Sequence, residues 1–307
     1  MIVCFDIGGT AIKGAVATTA EDIQTFPRKP TPLNDFDAFV ATLAEVVSEA
    51  GGTPDCIAIS IAGVIDPDTS KAVVANIPCI HGRTLQADLE SALGLPVFIA
   101  NDADCFVLAE AGIGAARGHR VVFGVILGTG VGGGLVIDGK LINSTGGFAG
   151  EWGHGPIQKT EAGTPPVRIP RFQCGCGQIG CIDAICSARG LEKLHFELHR
   201  ETQTSEGIIT AWQAADKTAA RTIDVYLDII ADPLALVVNV TGTTSVPVGG
   251  GLSNVPALIS EIDIAVRRRI LRKFDRPLVV PAACRVEPGL IGAALFGLGA
   301  LADKTES

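Results

Sequence analysis

Basic residues are scarce in this sequence. Lys and Arg number 24 against 33 Asp and Glu, a formal net charge of −9, which weighs against a nucleic-acid partner. The one dense basic cluster, Arg267-Arg268-Arg269 with Arg272 and Lys273, reads as the solvated face of a helix. Charged residues make up only 19% and hydrophobic residues 47%, which excludes an intrinsically disordered chain and allows large cores. A long uninterrupted apolar run is also lacking. Residues 121–137 and 289–302 are broken by glycine and fall short of the roughly 18 residues that a membrane span requires. No basic n-region or signal-type h-region precedes the opening run Ile2-Val3-Cys4-Phe5. Nine Cys is an odd number, and Cys4, Cys56, Cys79, Cys105 and Cys284 lie singly, as reduced thiols do and a disulfide framework does not. These absences predict a cytoplasmic protein that acts on neither membrane nor nucleic acid.

What abounds is glycine: 37 Gly with 17 Pro, in no collagen-like period. In a chain able to bury a core, so many glycines mark backbone that turns tightly or comes close to a ligand. A length of 307 residues favours two domains. Strands are expected over 2–7 and 12–17, around a turn at Gly8-Gly9-Thr10. A helix is expected over 34–50, where Phe36, Phe39, Val40, Leu43, Val46 and Val47 recur at helical spacing and Asn34 or Asp35 can cap. A strand over 56–62, a helix over 85–93, a strand over 97–100 and a helix from Asn101-Asp102 to about 116 complete a first α/β block. In the second block, strands are expected over 121–127 and 134–142, with a hairpin turn at Asp138-Gly139. Residues 155–173, with Pro156, Pro165, Pro166 and Pro170, read as a loop, and 187–199 and 211–240 read as helices. Pro247, inside the strand before Gly249-Gly250-Gly251, predicts a sheet edge or a bulge. The small-residue segment 290–301 predicts a helix packed closely on a neighbour.

Two generic glycine patterns carry no weight. Gly128-x-Gly130-x-x-Gly133 fits a dinucleotide fingerprint, but a strand and hairpin follow where a helix is needed. Gly134-x4-Gly139-Lys140 fits most of a P-loop, but Leu141 stands where a hydroxyl must hold Mg²⁺. Three turns remain: Asp6-Ile7-Gly8-Gly9-Thr10, Gly128-Thr129-Gly130-Val131-Gly132 and Gly249-Gly250-Gly251. Any one of them alone reads better as a tight hairpin. Together they offer backbone N–H groups, and the Thr10 and Thr129 hydroxyls, to phosphate oxygens, with Asp6 able to orient a hydrated Mg²⁺. Asn101-Asp102 is equally a helix cap and a general base for an attacking hydroxyl. Cys174-x-Cys176-x4-Cys181, preceded by Glu151-Trp152-Gly153-His154, offers three thiolates and an imidazole. That donor set satisfies a closed, structural tetrahedral Zn²⁺, against which stands a disulfide or free-thiol reading. Cys186 falls outside the spacing.

Residues 6–10, Asn101-Asp102-Ala103, 127–134, 150–154, 174–181 and 249–253 together resemble the ROK sugar kinases (repressor, open reading frame, kinase) of the actin and hexokinase superfamily. The resemblance spans essentially the whole chain. It implies an α/β fold of two ribonuclease H-like domains with an interdomain cleft and a zinc loop. A small N-terminal domain would take 1–116 plus 288–307, and a large C-terminal domain 117–287. Asp102 matches the catalytic base that deprotonates a sugar 6-hydroxyl. Asn101, Glu151 and His154, with Gly63 and Asn76, match positions that hold the sugar. Asp183 stands where the family usually has Glu, so its reach as a sugar ligand is one methylene shorter. ATP with Mg²⁺ is implied at Asp6, Gly8, Gly9, Thr10, Gly128, Thr129, Gly130, Gly132, Gly249, Gly250 and Gly251. Lys13 is a candidate there because Ala11 occupies a place where Lys is frequent. The zinc ligands implied are His154, Cys174, Cys176 and Cys181, with the second ring nitrogen of the His facing the sugar. A homodimer is a further implication.

The long, Pro-containing interval from His154 to Cys174 resembles the bacterial N-acetylglucosamine kinases within this family. So do Ala75-Asn76-Ile77-Pro78, 101–106, Ser187-Ala188-Arg189-Gly190 and 249–254. The implied activity is ATP-dependent 6-phosphorylation of N-acetyl-D-glucosamine, with N-acetylmannosamine or glucose as the alternative acceptor. Family regulators carry a winged-helix domain before the phosphate strand. That strand begins here at residue 2, so a sugar-sensing regulator is not expected. Asp102 and the three turns weigh against an inactive sugar-binding protein.

Overall fold

Unbroken burial of Ile2, Val3, Cys4, Phe5 and Ile7 is the mark of a strand covered on both faces. The computed structural model, which describes residues 1–306, forms β1 (Ile2–Ile7) there, paired antiparallel with β2 (Ala11–Ala17). Short strands β3 (Ile23–Thr25) and β4 (Lys29–Pro30) both pair with β2. Asp35 caps α1 (Phe36–Glu49), its carboxylate accepting the Ala38 N–H at 3.0 Å. Phe39, Leu43 and Val46 then form the buried face of that helix. On the other side of β1 runs β5 (Ile57–Ile61), in parallel. The hairpin of β6 (Val64–Ile65) and β7 (Ala72–Val73) follows, then α2 (Leu85–Leu93), which ends on left-handed Gly94. β8 (Val97–Asn101) completes the order β3-β2-β1-β5-β8 and leads directly into α3 (Asp102–Gly112), in which Ala103 through Glu110 are all buried.

β9 (Val121–Leu127) and β10 (Val131–Ile137) flank the second glycine turn. Asp138 and Gly139 then take positive φ, 51° and 77°, as a tight two-residue hairpin demands, and lead to β11 (Lys140–Leu141). The expected loop 155–173 contains a small hairpin, β12 (Glu161–Ala162) with β13 (Val167–Arg168). Two-residue strands leave no alternation to read. After α4 (Asp183–Cys186) and α5 (Ala188–His199) come α6 (Ser205–Gln213) and α7 (Lys217–Thr241). The single helix expected over 211–240 is therefore two. Ala215 has a φ of 62°, and Asp216 restarts the helix by accepting the Ala219 N–H at 2.9 Å.

β14 (Val246–Gly249) pairs in parallel with β9 on one side and, beyond α8 (Pro256–Arg267), with β15 (Val279–Pro281) on the other. Pro247 thus lies in an interior strand, not at the edge or bulge that its presence predicts. The Val246 N–H donates to Leu278 at 2.8 Å and the Val248 carbonyl accepts from Ala282 at 2.9 Å, both on the β15 side. By alternation, the missing N–H of Pro247 falls on the β9 side, where one ladder bond is forgone. Arg267 and Arg269, in the basic cluster, are bound by Asp263, Asp228 and Asp232.

The chain divides into two compact units: Met1–Gly118 with Gly134–Ala149 and the segment from Ala283 onward, and His119–Gly133 with Gly150–Ala282. Residues 134–149 belong to the first unit, although the sequence assigns them to the C-terminal domain. Asn143 fastens them there by donating to Asp104 at 3.0 Å. In the same unit α9 (Pro288–Glu306) packs on α3 through small residues. A Cβ on Gly292 would collide with the Cys105 carbonyl. Buried Glu110 on α3 accepts the N–H groups of Ala115, Ala283 and Cys284 at 2.7, 3.1 and 2.7 Å, which ties the exit of α3 to the segment entering α9. Among the described residues, none of the nine cysteines is joined in a disulfide. Among the described residues no helix is long and apolar enough to cross a membrane.

In the second unit, buried His195 of α5 and its neighbour His199 share Thr222 Oγ1 of α7 at 2.8 and 3.2 Å. Burial first, then His199, holds the His195 pKa below its ordinary 6.5. The folded chain therefore binds fewer protons here than the unfolded chain, so stability falls as pH drops below that value. His195→Asn, which keeps a polar partner for Thr222 without titrating, should lose less stability than wild type between about pH 7.5 and about pH 5.5. Urea unfolding at the two pH values measures this, and equal losses would contradict it.

Candidate functional site

The predicted site residues fall into both units. In the first, β1 ends at Ile7 and reverses through Gly8-Gly9-Thr10, with the Gly8 N–H on the Ala11 carbonyl at 3.1 Å and Thr31 Oγ1 donating to the Gly8 carbonyl at 2.7 Å. Thr10 is exposed. A Cβ on Gly9 would lie 3.1 Å from that of Asn76, so Asn76 backs the turn. Asp6 accepts from Lys13 Nζ on one oxygen at 2.9 Å and from Ser60 on the other at 3.1 Å. Lys13 also pairs with Glu287 at 2.7 Å. Burial opposes its charge, but the Glu287 and Asp6 carboxylates outweigh that and raise its pKa.

At the end of β8, Asn101 Oδ1 accepts the Ala103 N–H at 2.8 Å while its Nδ2 donates to the Gly63 carbonyl at 2.9 Å. Asp102 Oδ1 accepts the same Ala103 N–H at 2.9 Å. Gly63 has no room for a side chain, since its Cβ would stand 2.7 Å from the Val73 carbonyl. Gly63, Asn101 and Asp102 are thereby drawn together. Capping and proton acceptance are compatible roles here: the first turn of a helix favours a carboxylate in its ionised form. A small recess beside them is lined by Val64, Ile65, Asp104, Asn143 and Gly147, the last two on a segment to which sequence reasoning assigned no role.

In the second unit two of the three glycine turns converge. Gly128 N–H closes on the Gly130 carbonyl at 3.0 Å, and the Gly128 carbonyl accepts from Ala188 at 2.8 Å. Gly250 has φ 86° and ψ 174°, a region open essentially to glycine alone. Its Cβ would stand 2.5 Å from the Leu127 carbonyl. Beside the two turns lies a cavity of about 570 Å³ bounded by Thr129, Gly251 and Leu252 and, from α6, by Ser205, Ile209 and Gln213. Sequence reasoning missed the α6 wall, although Thr204 capping ahead of Ile208, Ile209 and Trp212 was the available signal. Gly132 lies within β10, where its carbonyl accepts from Trp152 Nε1 at 2.9 Å.

The zinc-type residues also meet. Donor atoms of His154, Cys174, Cys176 and Cys181 all lie within 4.8 Å of one another. The Cys176–Cys181 sulfurs are 3.6 Å apart, and Cys174 Sγ is 3.7 Å from His154 Nδ1. Zinc–sulfur bonds of about 2.3 Å give a tetrahedron with edges of about 3.8 Å, so the donor set fits such an ion. Gly177 and Gly180, with φ of 90° and 88°, let the loop fold back on itself. Burial pushes the Cys174 thiol up to about 12, while the Gln178 N–H brings exposed Cys176 down to about 7. With Nδ1 toward the sulfurs, His154 turns Nε2 toward Glu151 at 3.8 Å. Asp183 donates its N–H to the Gly153 carbonyl at 2.9 Å and accepts the Val131 N–H at 2.7 Å. Its other oxygen lies 3.4 Å from Cys174 Sγ. The insertion before Cys174 is fastened to α7 through Asp228, which accepts from Lys159 at 3.1 Å and from the Gly163 N–H at 2.9 Å.

A family profile described as the ROK family matches residues 2–299. The chain is 35% identical over 297 residues to an N-acetyl-D-glucosamine kinase of Escherichia fergusonii, covering 96% of this chain and 98% of that one. It is also 35% identical over 297 residues to an N-acetylgalactosamine kinase of Shewanella sp. (strain ANA-3), covering 96% of each. Among solved structures it is similar to a ROK family glucokinase from Streptomyces griseus in complex with glucose and AMPPNP. The TM-score is 0.70 at 26% identity, over 95% of this chain and 97% of that one. The fold is thus that of the actin/hexokinase-like ROK kinases.

The two neighbouring glycines of the third turn make opposite demands. Gly250→Ala should lower unfolding stability by about 1–3 kcal/mol, because it forces both a forbidden backbone region and a clash. Gly251→Ala, with open space around its Cβ position, should stay within about 0.5 kcal/mol of wild type. Urea titrations compare them, and equal effects would contradict the close approach of the two turns.

Proposed function

The chain belongs to the ROK family, and on that premise we propose that it transfers the γ-phosphoryl group of ATP to the 6-hydroxyl of N-acetyl-D-glucosamine. The products are N-acetylglucosamine 6-phosphate and ADP. The observation that carries the reading is the closure of Gly250 on Leu127 and Gly128 beside a cavity of about 570 Å³. Converging backbone turns at a cavity suit a nucleotide, whose phosphates take N–H donors and whose base needs an apolar wall.

On this reading Gly9, Thr10, Thr129, Gly130, Gly250 and Gly251 offer backbone N–H groups to phosphate oxygens, while Gly8, Gly128 and Gly249 shape the turns, the first two with their N–H groups closed on the Ala11 and Gly130 carbonyls. When bound, hydrated Mg²⁺ neutralises charge on the β- and γ-phosphates. With its oxygens on Lys13 and Ser60, Asp6 suits that ion through its water shell. Asn101, Glu151 and His154, with Gly63 and Asn76, hold the sugar hydroxyls. Oxygen 6 attacks the γ-phosphorus as its proton passes to the Asp102 carboxylate, and the bond to the β,γ-bridging oxygen breaks to release ADP. A closed four-donor zinc site supplies rigidity to the 174–181 loop and no Lewis acidity. His154 then offers Nε2 beside the Glu151 carboxylate, a pair able to orient a sugar hydroxyl.

The match to an N-acetylgalactosamine kinase at the same 35% identity favours, as a second reading, the acceptor epimeric at carbon 4. N-acetylmannosamine and glucose follow. The family resemblance further implies a homodimer.

Asp102→Asn keeps the hydrogen-bond geometry of the cap and removes the proton acceptor. Its kcat should fall by about 10²–10⁴, while the sugar KM changes much less. A coupled ADP-release assay reads both, and turnover within a few fold of wild type would overturn Asp102 as the base.

A further inference from the structure

Asp183 makes three contacts that join two features which sequence reasoning kept apart. Its N–H donates to the Gly153 carbonyl at 2.9 Å, one residue from His154. Its Oδ1 accepts the Val131 N–H at 2.7 Å, one residue beyond the Gly128–Gly130 turn. Its Oδ2 lies 3.4 Å from Cys174 Sγ. Along the chain it stands two residues after Cys181. Packing reinforces the bridge. A Cβ on Gly130 would stand 2.9 Å from Asp183 Oδ1, and one on Gly153 would stand 2.7 Å from the Val131 carbonyl. Trp152 Nε1 donates to the Gly132 carbonyl at 2.9 Å. Residues 128–132 are thus backed by Trp152, Gly153 and Asp183, interleaved with His154 and Cys181 of the donor cluster.

We propose that Asp183 is a positioning residue that braces the Gly128–Gly130 turn against the His154-Cys174-Cys176-Cys181 cluster. Filling of the cluster and affinity for nucleotide are thereby linked. The inference rests on the reading that this turn holds nucleotide phosphate. It differs from a sugar-ligand role for Asp183, because the carboxylate oxygens are directed at a backbone N–H and a metal-ligand sulfur. A metal in the cluster fixes His154 and Cys181, hence the Gly153–Asp183 bond, hence the Val131 N–H. Linkage then works in both directions: nucleotide tightens zinc as much as zinc tightens nucleotide.

The test uses the full chain and AMPPNP as the nucleotide probe. Zinc removal with a chelator should weaken AMPPNP binding by about fivefold or more, and saturating AMPPNP should slow zinc loss by a similar factor. Asp183→Ala should weaken AMPPNP by about tenfold and abolish the effect of zinc removal on it, with the sugar KM shifted less. Asp183→Asn, whose amide oxygen still accepts the Val131 N–H, should restore most of the nucleotide affinity. Circular dichroism of each variant checks that the fold is kept, and the wild-type zinc arm stands even if a variant misfolds. A raised sugar KM with unchanged AMPPNP affinity would overturn the brace in favour of direct sugar contact. Gly250→Ala separates the two levels of inference. If it weakens AMPPNP while zinc removal and Asp183→Ala do not, the brace is wrong and the nucleotide turn stands. If it leaves AMPPNP unchanged, the nucleotide reading itself fails.

Discussion

Main chain approaches main chain in this protein at distances that no side chain permits, and the candidate site depends on that steric constraint. The turn after β14 closes on the turn after β9 only because Gly250 lacks a Cβ, which would stand 2.5 Å from the Leu127 carbonyl. Two rows of N–H groups then border one cavity. The same constraint acts where α9 crosses α3. Gly292 sits against the Cys105 carbonyl, and that packing fixes the helix whose first turn carries Asn101 and Asp102. Glycine loses more conformational freedom on folding than any other residue, so such positions destabilise the chain unless close approach offsets the loss. Phosphoryl transfer makes use of this kind of backbone, since the protein supplies mainly position and charge stabilisation.

The sequence carries the long elements of the first unit, whose burial is periodic, and leaves unread the two- and three-residue strands β3, β4, β6 and β7. β1, α1, α2 and β8 fall within a few residues of expectation, and caps at Asp35 and Asn101 mark the starts of α1 and α3. The misses have local causes. Ala215, an ordinary residue at positive φ, breaks a run whose apolar spacing is continuous, so α6 and α7 read as one helix. Pro247 occupies an interior strand because its hydrogen-bonding direction faces β9, where one bond is forgone, and not β15. The return of 134–149 to the first unit depends on Asn143 and Asp104, a pair far apart in sequence that no local pattern signals.

The site divides in the same way. The Cys174-x-Cys176-x4-Cys181 spacing with a nearby His154 points to the four zinc-type donors, since Gly177 and Gly180 at positive φ let the loop fold back, and the donor separations of the folded chain agree. Spacing also finds each glycine turn. It does not reveal that two turns meet, that α6 walls the cavity, or that Lys13 and Ser60 hold Asp6. Asp183 is the sharpest case. The family resemblance gives it an arm toward the sugar, whereas its hydrogen bonds in the folded chain run to Val131 and toward Cys174. A side chain's direction depends on packing that sequence proximity leaves open. The charge of −9 bears on the proposed reading in one way: an anionic nucleotide would be drawn by fixed N–H dipoles and Mg²⁺, not by a basic surface.

The central claim is phosphorylation of N-acetyl-D-glucosamine at oxygen 6, and product identity tests it most directly. Zinc-replete protein would be incubated with ATP and Mg²⁺ and each of N-acetylglucosamine, N-acetylgalactosamine, N-acetylmannosamine and glucose. ADP release gives kcat/KM, and phosphorus–proton coupling in the NMR spectrum locates the new ester. The account predicts the highest kcat/KM for N-acetylglucosamine, with the phosphorus coupled to the two protons on carbon 6. A higher kcat/KM for another of these sugars, or a phosphate on any other carbon, would contradict it.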